Sequence, residues 1–295
     1  FEINPLSDYK NLARAISLIE NNSPGYEAIL ENLQIFPDSK TIGITGPPGV
    51  GKSTLINGLL NAMLAENKKV AVLAVDPSSP FYFGALLGDR IRMNEYYNHS
   101  NVFIRSLATR GALGGVPSKI IEITDLVTAA GFDYIIIETV GVGQSEVEIA
   151  GIADITMVVL ALDAGDEIQT MKAGLMEIAD IFVVNKSDRP GAEEFFRHLQ
   201  TFTLGRKKNE VIIPVIQTVA TRQNGIDKLM ETIHQQYETI HQHLPRKASL
   251  LAERAYQLIA AQRMKNISKK NLQEEISLLL KPGNFNLYQW IKEKY

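Results

Sequence analysis

The stretch Gly46-Pro-Pro-Gly-Val-Gly-Lys-Ser-Thr54 constrains this chain more than any other. Glycines at 46 and 51, followed by Lys52 and Ser53, fit the pattern G-x-x-x-x-G-K-[ST]. Residues 41–45 before it read as a short buried strand. Residues 53–64 after it place Leu55, Ile56, Leu59, Leu60 and Met63 at helical spacing. A strand, a glycine loop and a helix in that order aim backbone N–H groups and the positive end of the helix at one spot. The expected result is a polyphosphate cradle built by Gly46, Pro47, Pro48, Gly49, Val50, Gly51, Lys52, Ser53 and Thr54. In it Lys52 reaches the outer phosphates and the Ser53 hydroxyl ligates Mg²⁺. The implied ligand is a nucleoside triphosphate.

Between residues 41 and about 220, apolar runs recur at 70–75, 102–107, 134–138, 155–162, 181–185 and 211–219. Most are continuous rather than alternating, as expected of strands buried on both faces of a parallel sheet. Helical stretches separate them at roughly 84–98, 116–130, 167–178 and 190–204. The fold class is therefore α/β: a doubly wound, mainly parallel sheet of the P-loop NTPase type, with helical extensions at both ends. Three regions follow: an N-terminal helical extension (1–40), a nucleotide domain (41–235) and a C-terminal helical arm (236–295). In the first, Leu12, Ala15, Ile16 and Ile19 suggest a helix packed on the main domain; in the last, Leu272, Ile276, Leu279 and Leu280 form an apolar stripe.

Ligands of doubly wound sheets sit at the carboxyl ends of the strands, and the remaining motifs fall there. Asp76, closing the strand at 70–75, is placed to hold Mg²⁺ or its water shell, and the cluster Gly88-Asp-Arg-Ile-Arg92 offers a further carboxylate and cations for phosphates. Glu138 ends the strand at 134–138, and Gly141 follows three residues later, where a bare N–H can meet a γ-phosphate. Gln144 is a candidate for orienting water. Asn185-Lys-Ser-Asp188 is the base-reading signal. Asp188 can accept both N1–H and N2–H of guanine, whereas adenine leaves such buried groups unpaired. Lys186 then lies along the base, and Asn185 ties this loop to the phosphate loop. Val219-Ala220 supplies a last base contact through the Ala220 N–H. The nucleotide is thus GTP or GDP rather than an adenine nucleotide. Asp166, Gln169 and Lys172, in the loop from 163 to 172, read from spacing alone as helix caps and faces.

The net charge of −3 gives no electrostatic case for nucleic acid, and no basic run suits a membrane surface. Without cysteine there is neither a disulfide framework nor thiolate metal ligation. The five histidines have no ligand spacing and read as solvent-facing. The absence of an apolar run of about 18 residues argues for a soluble, intracellular protein. The chain starts at Phe1, so a trimmed targeting segment is also open: cytoplasmic, or the mitochondrial matrix if the source is eukaryotic.

Taken in order, GPPGVGKST, DPSSP with LLGDRIRM, ATRGALGG, ETVGVGQSE, AGDEIQTMK and NKSD resemble the MeaB/ArgK/MMAA family of P-loop GTPases, within the SIMIBI class. The resemblance covers essentially the whole chain. It implies a GTP-hydrolysing chaperone of an adenosylcobalamin-dependent acyl-CoA mutase, with methylmalonyl-CoA mutase as the client, that loads intact cofactor and releases damaged cofactor. It implies Ser53, Asp76, Asp89 and Glu138 around Mg²⁺, and, because the loop from 163 to 172 matches the family's third switch, functional roles for Asp166, Gln169 and Lys172; with the residues read above, the candidate catalytic set is Lys52, Glu138, Gln144, Asp166 and Lys172. A homodimer built through the C-terminal helices is implied likewise. Hydrolysis is expected to be slow alone and raised by the partner, because no glutamine stands at the small-GTPase position. Arg90, Arg92, Arg105 and Arg110 are candidate cis arginines. The competing readings are a metallochaperone GTPase, a kinase or ATPase of an amino-acid transport system, and a binder that holds GTP without hydrolysing it.

Overall fold

The computed structural model describes residues 8–34, 39–76, 93–108, 119–139, 149–164, 177–204, 207–208, 211–241, 244–264, 266–280 and 285–294. The chain divides into two compact units, residues 1–247 and 248–295.

In the first unit, β1 (Lys40–Thr45), β2 (Val70–Asp76), β3 (Val102–Ala108), β4 (Tyr134–Thr139), β5 (Ile155–Leu160), β6 (Ile181–Val184) and β9 (Val215–Gln217) form one sheet. Its order is β3-β2-β4-β1-β5-β6-β9, and every pairing is parallel. β1 is the switch strand: the chain leaves it toward β2 on one side and later returns to β5 on the other. A parallel sheet needs helical cover on both faces, which is why β1, β4 and β5 are buried almost throughout.

The two faces carry separate cores. On one, α3 (Lys52–Ala65) and α6 (Ile226–His241) meet the sheet through Leu55, Ile56, Leu59, Leu229 and Ile233. On the other, α4 (Ile120–Ala129) is joined by the N-terminal helices α1 (Tyr9–Glu20) and α2 (Tyr26–Glu31). Leu12, Ala15, Ile16 and Ile19 are fully buried there, so α1 is part of the sheet's cover rather than a peripheral addition. Asp8 caps α1 by accepting from the Asn11 N–H at 2.7 Å. The Arg105 guanidinium on β3 fastens the helix further, donating to Glu20 at 2.7 Å and to Ser17 at 3.0 Å. That contact commits Arg105 to a structural ion pair and removes it from the cis-arginine candidates; Arg90, Arg92 and Arg110 lie outside the described residues.

Several expected elements differ. The run 211–219 is not one strand. Val211–Ile212 (β8) pairs antiparallel with Lys207–Lys208 (β7), and only Val215–Gln217 joins the main sheet. Pro214 lies between them and has no N–H to donate to a continuous ladder. The strand at 155–162 stops at Leu160 and gives way to a 3₁₀ turn over Leu162–Ala164. Of the helix expected over 84–98, the described part is a single 3₁₀ turn, Asn94–Tyr96. His234 is not simply solvent-facing: its Nε2 lies 2.7 Å from the Tyr134 hydroxyl.

The helix α5 (Ala192–Leu204) covers β6 and β9 through Leu199. Residues 244–247 of α7 (Leu244–Met264) belong to the first unit and the remainder to the second. Pro245 stands in its first turn, where the missing N–H costs nothing. In the second unit, α8 (Lys269–Leu279) and α9 (Leu287–Lys294) bury no residue, and α9 was not anticipated from the sequence. Leu251, Tyr256, Ile259, Leu278, Leu280 and Tyr288 are exposed. No helix among the described residues is long and apolar enough to cross a membrane.

Candidate functional site

The phosphate loop leaves β1 at Thr45 and enters α3 at Lys52. Gly46 has φ +140°, and a Cβ on it would lie 2.0 Å from the Val159 carbonyl oxygen of β5. No side chain fits that approach, so the loop can turn over the sheet only with glycine there. Gly51 has φ +94° at the first position before α3, and its missing Cβ leaves room for the Asn185 carboxamide, whose Nδ2 would otherwise be 2.5 Å away.

Lys52 is buried, and its ammonium donates to the carbonyl oxygens of Gly46 at 2.7 Å and Pro47 at 3.0 Å. The loop thus curls around the lysine head. Ser53 and Glu138 are brought together: the buried hydroxyl donates to Glu138 Oε1 at 3.0 Å. Glu138 owes its position to register, opposite Ile44 of β1 and Ala74 of β2. Thr139 beyond it donates to Thr45 at 2.9 Å, closing the ends of β4 and β1. The backbone of Asp76 ends β2 opposite Ala108, one step past the Val75–Thr139 pair. The Ser53 hydroxyl in the first turn of α3 and the Glu138 carboxylate near the end of β4 form an oxygen donor set of the kind Mg²⁺ takes. Asp89, Gly141, Gln144, Asp166, Gln169 and Lys172 lie outside the described residues, as does the Asp76 side chain.

The second half of the site is organised by Asn185, which is buried directly after β6. Its Nδ2 donates to the Val50 carbonyl at 2.9 Å. Its Oδ1 accepts from Thr218 Oγ1 at 3.0 Å and from the Ala220 N–H at 3.2 Å. One carboxamide therefore joins the phosphate loop, the Asn-Lys-Ser-Asp turn and the loop after β9. The Ala220 N–H, offered to the base by sequence reasoning, is here bonded to Asn185. Ser187 supports the same junction, donating through both its N–H (3.1 Å) and Oγ (3.0 Å) to the Thr218 carbonyl. Lys186 takes φ +56°, a left-handed conformation uncommon for a residue with a side chain. Asp188 lies 3.6 Å from Arg222 and is partly exposed.

Sequence reasoning missed the contacts around Asp163. Its Oδ2 accepts from Lys186 Nζ at 2.9 Å and also meets the Arg189 guanidinium. The hydrogen bond from Lys186 is the main reason its carboxyl is held below the usual aspartate range. The signal lay in the order of strands: β5 and β6 are neighbours, so residues just beyond them meet.

This architecture is the one P-loop nucleotide-binding proteins share. Comparison with known proteins narrows it. The sequence model of the family "Methylmalonyl Co-A mutase-associated GTPase MeaB" matches residues 12–276, and the chain belongs to that family. It is a SIMIBI P-loop GTPase and binds guanine nucleotide. A Pyrococcus horikoshii chain named "Putative GTPase" is 44% identical over 254 residues, 84% of this chain and 78% of its own. The mouse "Methylmalonic aciduria type A homolog, mitochondrial" is 38% identical over 199 residues, 66% of this chain and 48% of its own. The crystal structure of an "LAO/AO transport system kinase" superposes with a TM-score of 0.68 at 25% identity, covering 98% of this chain and 93% of that one.

Proposed function

We propose that this GTPase is a chaperone of an adenosylcobalamin-dependent acyl-CoA mutase, with methylmalonyl-CoA mutase as the first client to test. In this reading GTP binding and hydrolysis drive loading of intact cofactor and release of damaged cofactor. The observation that carries the client is the match of residues 12–276 to a mutase-associated family. The mouse relative, whose name refers to methylmalonic aciduria, supports the same direction.

The geometry supports the nucleotide half. Lys52, already surrounded by the carbonyls of Gly46 and Pro47, exchanges them for phosphate oxygens when a nucleotide arrives. Ser53 and Glu138, already in contact, would hold Mg²⁺, with Asp76 and Asp89 as further oxygen donors. The ion, when bound, neutralises charge on the β- and γ-phosphates and so favours attack on the γ-phosphorus. Asn185 keeps the phosphate and base loops in one register, while Lys186 and Asp188 take the guanine. Gly141 meets the γ-phosphate, Gln144 orients water, and Asp166, Gln169 and Lys172 answer to nucleotide state. Hydrolysis is slow until the partner completes the site. Two copies of the chain associate through the C-terminal helices, whose exposed leucines and tyrosines suit such burial. The compartment is that of the mutase: cytoplasm, or the mitochondrial matrix for a eukaryotic source.

The test is GTP turnover by the purified chain, alone and with methylmalonyl-CoA mutase, with Lys52→Ala as control. A slow basal rate that rises with mutase and vanishes in the variant is expected. Turnover indifferent to the mutase overturns the client assignment while leaving the GTPase.

A further inference from the structure

Two neighbouring strands bring an unassigned carboxylate against the lysine of the base-reading turn. Leu160 of β5 pairs with Val184 of β6, so Asp163 and Lys186 emerge side by side, three and two residues past that pair. Asp163 Oδ2 receives the Lys186 ammonium at 2.9 Å. The Lys186 side chain is 26% exposed and that of Arg189, which shares the carboxylate, 48%, so Lys186 is the more enclosed partner. The preceding Leu162 packs against Gly191, where an added Cβ would fall 3.0 Å from Leu162 Cδ2. The segment 162–163 is therefore seated on the 186–191 turn by an apolar contact and a shared carboxylate. The left-handed backbone at Lys186, φ +56°, sets the direction in which its stem leaves the turn.

We propose that Asp163 is a positioning residue for base recognition, holding the Lys186 ammonium so that the lysine stem forms a flat platform along the guanine ring. This rests on the reading of residues 185–188 as the guanine site. A long lysine stem has several rotamers, and ordering it on ligand binding costs free energy that a preset contact avoids. The base meets the methylenes, whereas Asp163 takes the ammonium, so both contacts coexist. The guanine N1–H and N2–H go to Asp188, a different carboxylate, whose nearest cation among the described residues is Arg222 at 3.6 Å. Asp163 is thus a partner of the lysine and not a competitor of the base.

The test is equilibrium binding of N-methylanthraniloyl-GDP to the full chain carrying Asp163→Asn, Lys186→Met, both, or Arg189→Gln. Asp163→Asn is expected to raise Kd about five-fold, equivalent to about 1 kcal/mol at 1.4 kcal/mol per decade. Once Lys186→Met is present, adding Asp163→Asn changes Kd by less than about two-fold, because the two act as one unit. Asp163→Glu recovers part of the loss, and Arg189→Gln stays within about two-fold of wild type. Tighter binding by Asp163→Asn, or additive effects in the double variant, overturns the proposal, since a competitor gives the first and an independent structural role the second. Failure of the underlying site reading shows separately. In that case the wild type does not prefer GDP to ADP, and Asp188→Asn does not shift preference toward xanthosine diphosphate.

Discussion

Asn185→Ala removes the carboxamide that joins both halves of the site, and its cost follows from the contacts. The side chain is buried and makes bonds of 2.9, 3.0 and 3.2 Å, to the Val50 carbonyl, Thr218 Oγ1 and the Ala220 N–H. Each such bond contributes a net ~1 kcal/mol, and a buried group left without a partner adds its own desolvation cost. Water entering the space left by the carboxamide offsets part of this, so the expected loss is about 3 kcal/mol. For a unit of this size a loss of 1 kcal/mol lowers Tm by ~2–4 °C, which predicts a fall of roughly 6–12 °C in the nucleotide-free protein. Thermal unfolding followed by circular dichroism measures it directly. Asn185→Asp sharpens the argument, because it keeps the acceptor for Thr218 and Ala220 but sets a carboxylate oxygen against the Val50 carbonyl. It is expected to destabilise at least as much as alanine. If Asn185→Ala melts within about 1 °C of wild type, the carboxamide is not what holds the loops together.

Gly51→Ala places a Cβ 2.5 Å from Asn185 Nδ2 at φ +94°, and should lower both Tm and nucleotide affinity, the latter read by titration with GDP. Breaking the Arg105–Glu20 pair with Glu20→Gln leaves a largely buried guanidinium short of its counter-charge; a loss of about 2 kcal/mol in urea unfolding is expected, and no loss would show that α1 is held by its apolar face alone. Ile16→Ala tests that face and should cost ~2–5 kcal/mol, read from the same urea midpoints. Asp163 has its carboxyl held low in the fold, chiefly by Lys186, so its contribution is present above the unfolded aspartate pKa of about 3.9 and is lost as pH falls through the lower folded value. The Tm difference between wild type and Asp163→Asn should therefore be flat from neutral pH down to about 5 and shrink in the acid range; a difference that grows toward acid would contradict the pairing.

Much of the architecture was legible because it rests on local chemistry. Runs such as Ile135-Ile-Ile137 and Val158-Val-Leu160 are apolar on both faces, which only a strand in the middle of a covered parallel sheet tolerates. The phosphate loop is legible for the same reason: its glycines satisfy sterics that no other residue can, and Lys52 and Ser53 follow at fixed offsets. Where reading failed, a single residue or a distant partner decided. Pro214 splits an apolar run that otherwise looks like one strand, and His234 looks free until Tyr134, one hundred residues away, supplies its partner at 2.7 Å.

By itself, then, the sequence determined the class of fold and the turn of the glycine loop into α3, and it carried the expectation of a guanine nucleotide, since each rests on residue types at short, fixed spacing. Only the tertiary structure decided which groups converge from far apart. The strand order puts Glu138 beside Ser53, at 3.0 Å across 85 positions, and Asn185 beneath Val50, at 2.9 Å across 135. It also sets Asp163 on Lys186 and turns Arg105 toward Glu20 on α1. These contacts depend on which strands are neighbours, and in a doubly wound sheet that order is settled by how the crossovers pack against both faces.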